Sequence, residues 1–295
     1  MDVDLRKLRY FVAVAEELHF GRAADRLHIA QPVLSRQIRA LENELRAQLF
    51  VRTKRATELT PAGRQLLDDA RPLLAAADAT RRRVAQAARG AKTFTIGFMP
   101  GLTVTSVVRR FAAANPELEV EVVRTTWDDQ VEVLHDGRVD VSIVRLPIDQ
   151  AGLVLRPLFE EPRVAMVPAD HRLAGKPSID ITDLADEHLL QDPDAVPEWR
   201  DIALELRSGH PRAVPVLHSV EEKLEHVAAG NGISIVPQSV ADFYHRPDVS
   251  TLPVNDLAPN KVALAWIATR RSRLIHSFAD LATAADWAPR PGRRA

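Results

Sequence analysis

In the first ninety residues apolar positions recur at helical spacing, whereas much of the remainder reads as short apolar runs separated by helical segments. Leu5, Leu8, Phe11, Val12, Ala15 and Leu18 share one stripe, which predicts an amphipathic helix over 5–18. Phe20 precedes a second helix, roughly 21–27, in which Ala23, Ala24 and Leu27 face inward. The small Ala23-Ala24 pair allows close helix approach. His28-Ile29-Ala30 reads as a turn. Leu34, Ile38, Leu41 and Leu45 then fall at i, i+4, i+7 and i+11 and predict a third helix. Gln31-Pro32 opens it, because a first-turn amide has no intrahelical acceptor and proline is tolerated there. Gln31, Ser35, Arg36 and Arg39 fall away from the stripe.

Leu49–Arg52 and Thr57–Leu59 read as two short strands around Lys54-Arg55, a wing. Thr60-Pro61 opens a long Ala-rich helix over 61–88, with Thr60 as N-cap and proline at the first helical position. Leu66, Ala70, Leu73, Ala77, Thr80, Val84 and Ala87 alternate in steps of four and three, a heptad seam. The seam suits pairing with a second copy of the chain or packing on the same chain. Pro72 lacks a donor and is expected to kink or break the helix.

Residues 89–92 look like a hinge. Beyond them the pattern predicts strands at 93–98, 119–124 and 139–144, with helices at 103–114 and 128–135 between them. Further strands are predicted at 163–167, 188–191, 214–218, 233–236 and 261–268, and helices at 197–207, 219–229 and 272–286. Such alternation implies parallel sheet with crossover helices. At 295 residues the chain suits two or three domains.

Charge changes the picture more than composition does. Residues 1–90 carry 17 Lys+Arg against 11 Asp+Glu, a net of +6, and the remainder carries 22 against 29, a net of −7. A basic first third joined to an acidic remainder is expected when only one domain faces a polyanion. The chain has no cysteine, so disulfides, thiolate metal sites and thiol redox sensing are excluded. The start has no apolar signal region and no stretch reaches membrane-spanning length, so a cytoplasmic protein without membrane contact is expected.

Candidate chemistry concentrates at the third helix and the wing. Two short helices joined tightly, the second presenting polar residues at its N-terminal end, form the layout of a helix-turn-helix reader of the major groove. Arg36 suits a bidentate contact to guanine, Gln31 to adenine, and Ser35 suits phosphate or either base. Arg39 joins them, and Arg52, Thr53, Lys54 and Arg55 of the wing suit phosphates or a minor groove. In the acidic remainder there is no GxxxxGK loop, no GxGxxG after a strand, no GxSxG elbow and no HExxH. An enzyme, or a solute-binding domain fused to a helix-turn-helix, is the alternative reading, and it lacks a reactive constellation. No metal or cofactor is expected. Ligands of open α/β sheets sit at the carboxyl ends of strands. Three strand ends stand out: Met99-Pro100-Gly101-Leu102-Thr103, Thr125-Thr126, and Arg145 after an apolar strand. The partner of Arg145 is either a ligand carboxylate or an Asp or Glu from a neighbouring loop.

The run AADRLHIAQPVLSRQIRALENELRAQLFVRTKRATELTPAGRQLL, within residues 5–64, resembles the N-terminal domain of LysR-type transcriptional regulators. Ala30 departs from the serine usual there, removing an N-cap hydroxyl, and Gly21 stands where Thr or Ser is commoner. TTWDDQVEVLHDGRVDVSIVRLP is similar to the effector domain of the muconate-responsive, aromatic-catabolism branch of that family. The resemblance implies an α+β multidomain chain: a winged helix-turn-helix at 1–60, a linker and dimerisation helix at 61–88, a hinge at 89–92, and a periplasmic-binding-protein-like effector domain at 93–290. That domain is implied to have two α/β subdomains, 93–162 with 268–290, and 163–267. Pro32 and Val33 are implied to join the DNA-reading face. An organic-acid effector is implied to meet Pro100, Gly101, Leu102, Thr103, Thr126 and Arg145. The implied partners are double-stranded DNA with a two-fold operator and further copies of the chain, as a dimer through the linker helix and a homotetramer.

Overall fold

A computed structural model describes residues 4–52, 57–88, 92–209, 212–213, 217 and 219–287. The hinge residues 89–91, most of the strand expected at 214–218, and residues 288–290 lie outside the described residues. The chain divides into two compact units, Met1–Gly90 with His135–Arg138, and Ala91–Leu134 with Val139–Ala295.

The first unit opens with α1 (Leu5–Glu17), α2 (Phe20–Arg26) and α3 (Gln31–Leu45). Asp4 caps α1 by accepting from the Arg6 amide at 2.8 Å. His19 caps α2, its Nδ1 accepting from the Arg22 amide at 3.1 Å. Gly21 leaves room for that ring, whose Cε1 lies 3.0 Å from where a Cβ would stand. Ala30 occupies the N-cap of α3 and provides no side-chain bond, as its methyl requires. Leu8, Phe11, Val14, Ala23, Leu34, Ile38 and Leu41 fill the space between the three helices.

β1 (Phe50–Arg52) and β2 (Thr57–Leu59) pair antiparallel, Phe50 opposite Leu59. Phe50 enters the helical core, 5.4 Å from the Phe11 ring and 5.8 Å from that of Phe20. Glu42 Oε1 accepts from the amides of Leu49 and Phe50 at 2.9 and 3.3 Å, so a carboxylate on α3 fixes where the hairpin begins.

α4 (Pro61–Ala88) begins as the sequence predicts, with Thr60 Oγ1 accepting from the Gly63 amide at 2.9 Å. Gly63 is required there, because a Cβ would meet the Leu49 carbonyl oxygen at 2.2 Å. Contrary to the expected break, the helix is continuous through Pro72. Pro72 lies on the exposed side, where water can satisfy the carbonyl that lost its amide donor. Leu66, Leu67, Ala70 and Leu74 join the core of the first unit. Arg71–Glu16 at 3.2 Å and Arg9–Asp78 at 2.7 Å tie α4 to α1. The heptad seam is therefore split. Its first positions pack on their own chain, whereas Leu73 and Val84 are 51 % and 64 % exposed.

The second unit contains β3 (Lys92–Phe98), α5 (Thr105–Ala114), β4 (Leu118–Arg124), α6 (Glu132–His135), whose last residue clusters with the first unit, β5 (Val141–Arg145), β6 (Leu153–Glu161) and β7 (Arg163–Pro168). There follow α7 (Pro197–Arg200), α8 (Leu204–Arg207), α9 (Val220–Ala228), β8 (Ser234–Pro237), α10 (Gln238–Phe243), β9 (Val249–Pro253), β10 (Asn260–Ile267) and α11 (Arg273–Thr283). One sheet has the order β4-β3-β5-β10-β6, the other β8-β7-β9. β4, β3 and β5 are parallel, and β10 runs antiparallel to both β5 and β6. Phe94, Phe111 and Phe278 cluster beneath the first sheet with centroids 4.8 to 5.7 Å apart. Trp199, Leu184, Ile233 and Leu252 anchor one core of the second.

Four expectations are corrected. The strand expected at 261–268 belongs to the first sheet and not to the 163–267 subdomain, because Val262, Leu264 and Trp266 fill the first core. The second sheet is antiparallel throughout, where alternation implied parallel strands. The helix expected over 197–207 is two short helices on either side of buried Ala203, which lets Trp199 turn fully inward. The segment 188–191 contributes one bridge, Leu189 to Ile233, and not a strand. β6 and β9 were not anticipated; Arg156-Pro157 and a register shift interrupt the alternation of β6. Among the described residues no helix is long and apolar enough to cross a membrane.

Candidate functional site

The apolar stripe of α3 turns Leu34, Ile38 and Leu41 inward, so helical geometry leaves the other residues outside. Gln31, Pro32, Arg36 and Arg39 are exposed, and Val33 and Ser35 half-buried. The arginines of the surrounding surface are mostly neutralised: Arg22 pairs with Glu17 at 3.1 Å, Arg26 with Glu16 at 2.8 Å, and Arg71 with Glu16 at 3.2 Å. Among the described residues, Arg36 and Arg39 have no such carboxylate. A cation left without an internal partner on an exposed helix face is available to a phosphate or a base edge. Val51 and Glu58 pair in the wing, and Arg52 pairs with Thr57 at its outer end. Thr53, Lys54 and Arg55 lie outside the described residues.

In the second unit, two of the strand ends singled out by the sequence, at Pro100-Gly101 and at Arg145, meet each other and the Ser239-Val240 segment. Arg145 is 2 % exposed. Its Nε donates to Glu161 Oε1 at 3.2 Å, its Nη1 to the Pro100 carbonyl at 2.8 Å and its Nη2 to Ser239 Oγ at 2.9 Å. Glu161 Oε2 in turn accepts from the Ser239 amide at 3.0 Å. Gln130 brackets the Arg145 backbone, its Oε1 accepting from the amide at 2.9 Å and its Nε2 donating to the carbonyl at 3.3 Å. Burial pushes the Arg145 guanidinium below its ordinary pKa, and Glu161 pulls it back up. Of the two partners the sequence left open, the structure contains the internal one, on a strand end and not a loop.

Pro100 and Gly101 belong to the same contact. Gly101 has φ +81°, and a Cβ there would meet the Ser239 carbonyl and the Val240 backbone at 2.8 Å. Leu102 is buried in the core of the first sheet, and Thr103 is exposed. Thr126 donates to Asp129 Oδ1 from both its amide and its hydroxyl, at 2.7 and 3.0 Å. α5 begins at Thr105, and its N-cap residue, Val104, has no side chain able to accept from the first-turn amides. Among the described residues there is no cluster of His, Cys, Asp or Glu able to hold a metal ion.

Residues 5–64 match the bacterial regulatory helix-turn-helix protein family, lysR family, and residues 87–287 match the LysR substrate binding domain. The chain belongs to the LysR family of transcriptional regulators. It is 33 % identical to the Hca operon transcriptional activator HcaR of Escherichia coli, over 90 % of this chain and 92 % of that one. It is 35 % identical to the regulator BenM of Acinetobacter baylyi, over 91 % and 90 %. The crystal structure of the LysR family regulator CbnR matches with TM-score 0.60 and 28 % identity, over 96 % of this chain and all of that one. Full-length CbnR complexed with its target DNA matches with TM-score 0.50 and 28 % identity, over 95 % and 98 %.

As a LysR-type protein the chain is a DNA-binding transcriptional regulator with an effector-binding domain, and not an enzyme. Several residues that shape its two sites carry no signal in the sequence. Glu42 is one polar position among many on a helix, yet it holds the wing. Glu161 and Ser239 lie 16 and 94 residues from Arg145. Gln130 sits in a polar turn and closes on a strand. Only a pairing of distant segments makes any of these visible.

Proposed function

We propose that α3 enters the major groove of a two-fold operator, with Gln31, Pro32, Val33, Ser35, Arg36 and Arg39 as its reading face. Arg52, Thr53, Lys54 and Arg55 of the wing grip the flanking backbone. The observation that carries this reading is the contrast between exposed, unpaired Arg36 and Arg39 and the neutralised arginines around them. The test is fluorescence anisotropy on DNA from upstream of the protein's own gene. Arg36→Ala weakens specific binding by about 1–3 kcal/mol and flattens sequence preference. Unchanged affinity overturns the assignment.

Two such faces are brought together by α4 of two copies, dimers pairing further into a homotetramer. Exposed Leu73 and Val84 support this, since lone apolar side chains on a continuous helix are free to meet a second copy. The effector is a small organic acid, as in the aromatic-catabolism branch that residues 126–146 resemble. Support comes from the uncapped start of α5 beside exposed Thr103 and from Thr126 at the neighbouring strand end. Pro100, Gly101, Leu102 and Arg145 form the floor of this region and transmit occupancy to the contact at Ser239. Stabilisation of the protein by benzoate or cis,cis-muconate in a thermal-shift titration is the expected outcome.

A further inference from the structure

Among the described residues of the second unit, the cations that form no ion pair are exposed, with one exception. Arg124, at the end of β4, reaches Glu221 in the first turn of α9 at 3.7 Å, across the boundary between the two subdomains. Arg145 crosses the same boundary to Ser239. Lys223 lies two residues after Glu221 and is half-buried. Among the described residues no carboxylate is within ion-pair distance of it. Leu224 and Val227 of α9 pack into the core of the second sheet, which holds the adjacent Lys223 in place. Asp128 of the first subdomain acts on Lys223 through space, without a hydrogen bond. Asp128 stands two residues after Thr126, in the turn that follows β4. The Arg124–Glu221 pair sets the start of α9 against the end of β4, and Lys223 and Thr126 each stand two residues beyond that contact. Burial holds the Lys223 ammonium below the ordinary lysine range, with Asp128 pulling the other way.

A half-buried ammonium with no hydrogen-bonded counter-charge is unfavourable by itself, and a bound anion removes the penalty. Methionine would fill the same volume without that cost. We propose that Lys223 is the residue that receives the carboxylate of the effector, selecting acids over neutral molecules of the same shape. This rests on the reading of the subdomain boundary as an organic-acid site. Asp128 serves as the distant counter-charge while no acid is bound. Lys223 lies on the second subdomain and Thr126 on the first, so one acid held by both draws the subdomains together.

The test is calorimetric titration of full-length protein with benzoate and with cis,cis-muconate, with benzamide as the neutral control. The unaltered protein is expected to bind an acid and to discriminate against benzamide. Lys223→Met loses at least about tenfold in acid affinity, the size of a charge-assisted hydrogen bond, and Lys223→Arg retains most of it. Lys223→Gln serves equally if the Met variant fails to fold. Acid affinity unchanged in Lys223→Met or Lys223→Gln overturns the role of Lys223 and leaves the organic-acid site standing. No binding of either acid by the unaltered protein overturns both.

Discussion

Glu161 shows how much one side chain can decide. It accepts from the Arg145 guanidinium and from the Ser239 amide, so a single carboxylate neutralises a buried cation and anchors the start of α10. Burial acts against the charge on Arg145, and Glu161 offsets that effect. Glu161→Gln leaves the guanidinium buried without its counter-charge, and urea denaturation is expected to show a loss of about 3–5 kcal/mol. Replacing both partners by apolar residues of similar volume, as in Arg145→Met with Glu161→Leu, recovers much of that loss, because no charge is then left buried. The sequence flagged Arg145 as a cation needing a partner, since an apolar strand ending in arginine is anomalous by itself. It did not identify the partner, because Glu161 looks like any other strand-end glutamate.

At the scale of elements, the helices of the first unit were legible and the strands of the second less so. Helical periodicity and capping are written within four or five residues, so α1, α3 and the start of α4 follow from neighbours in the chain. The same locality supports a prediction. Ala30 has extended backbone geometry and no capping side chain, and Pro32 removes one of the amides a cap would serve. A serine hydroxyl at position 30 is expected to accept from the Val33 amide, raising stability by about 1 kcal/mol in thermal or urea denaturation. No stabilisation in Ala30→Ser would show that the helix start is held by packing alone. His19 caps α2 with a ring nitrogen in place of the usual hydroxyl or carboxylate. β6 is hidden in the sequence because its alternation is interrupted, and the segment 197–207 divides into two short helices because Trp199 and Ala203 are both drawn into the core.

For the whole molecule, the decisive quantity is how apolar surface is shared between copies. Leu66, Ala70 and Leu74 are already used by the chain's own core, which leaves Leu73 and Val84 as the exposed large apolar side chains of α4 among the described residues. Leu73→Glu combined with Val84→Glu puts like charges on the proposed two-fold helix contact. Analytical ultracentrifugation is expected to show a dissociation constant raised by at least about tenfold, while each copy keeps its fold because neither side chain contributes to the core. An unchanged oligomeric state would place the contact elsewhere. Operator affinity should fall in parallel, since two linked reading helices bind a two-fold site far more tightly than one.

The sequence alone determined the helix opened by Gln31-Pro32, the two short strands after it, the long helix from Pro61, the missing cap at Ala30 and the opposite charges of the two parts of the chain. Each of these is a property of adjacent residues or of composition. The tertiary structure alone decided that β10 returns to the first sheet, that Arg145 meets Glu161 and Ser239, that the heptad seam of α4 is split, and that Lys223 has no ion-pair partner among the described residues. Each depends on which distant segments pack together. Periodicity can orient a side chain inward, but only the packed fold specifies the group it meets there.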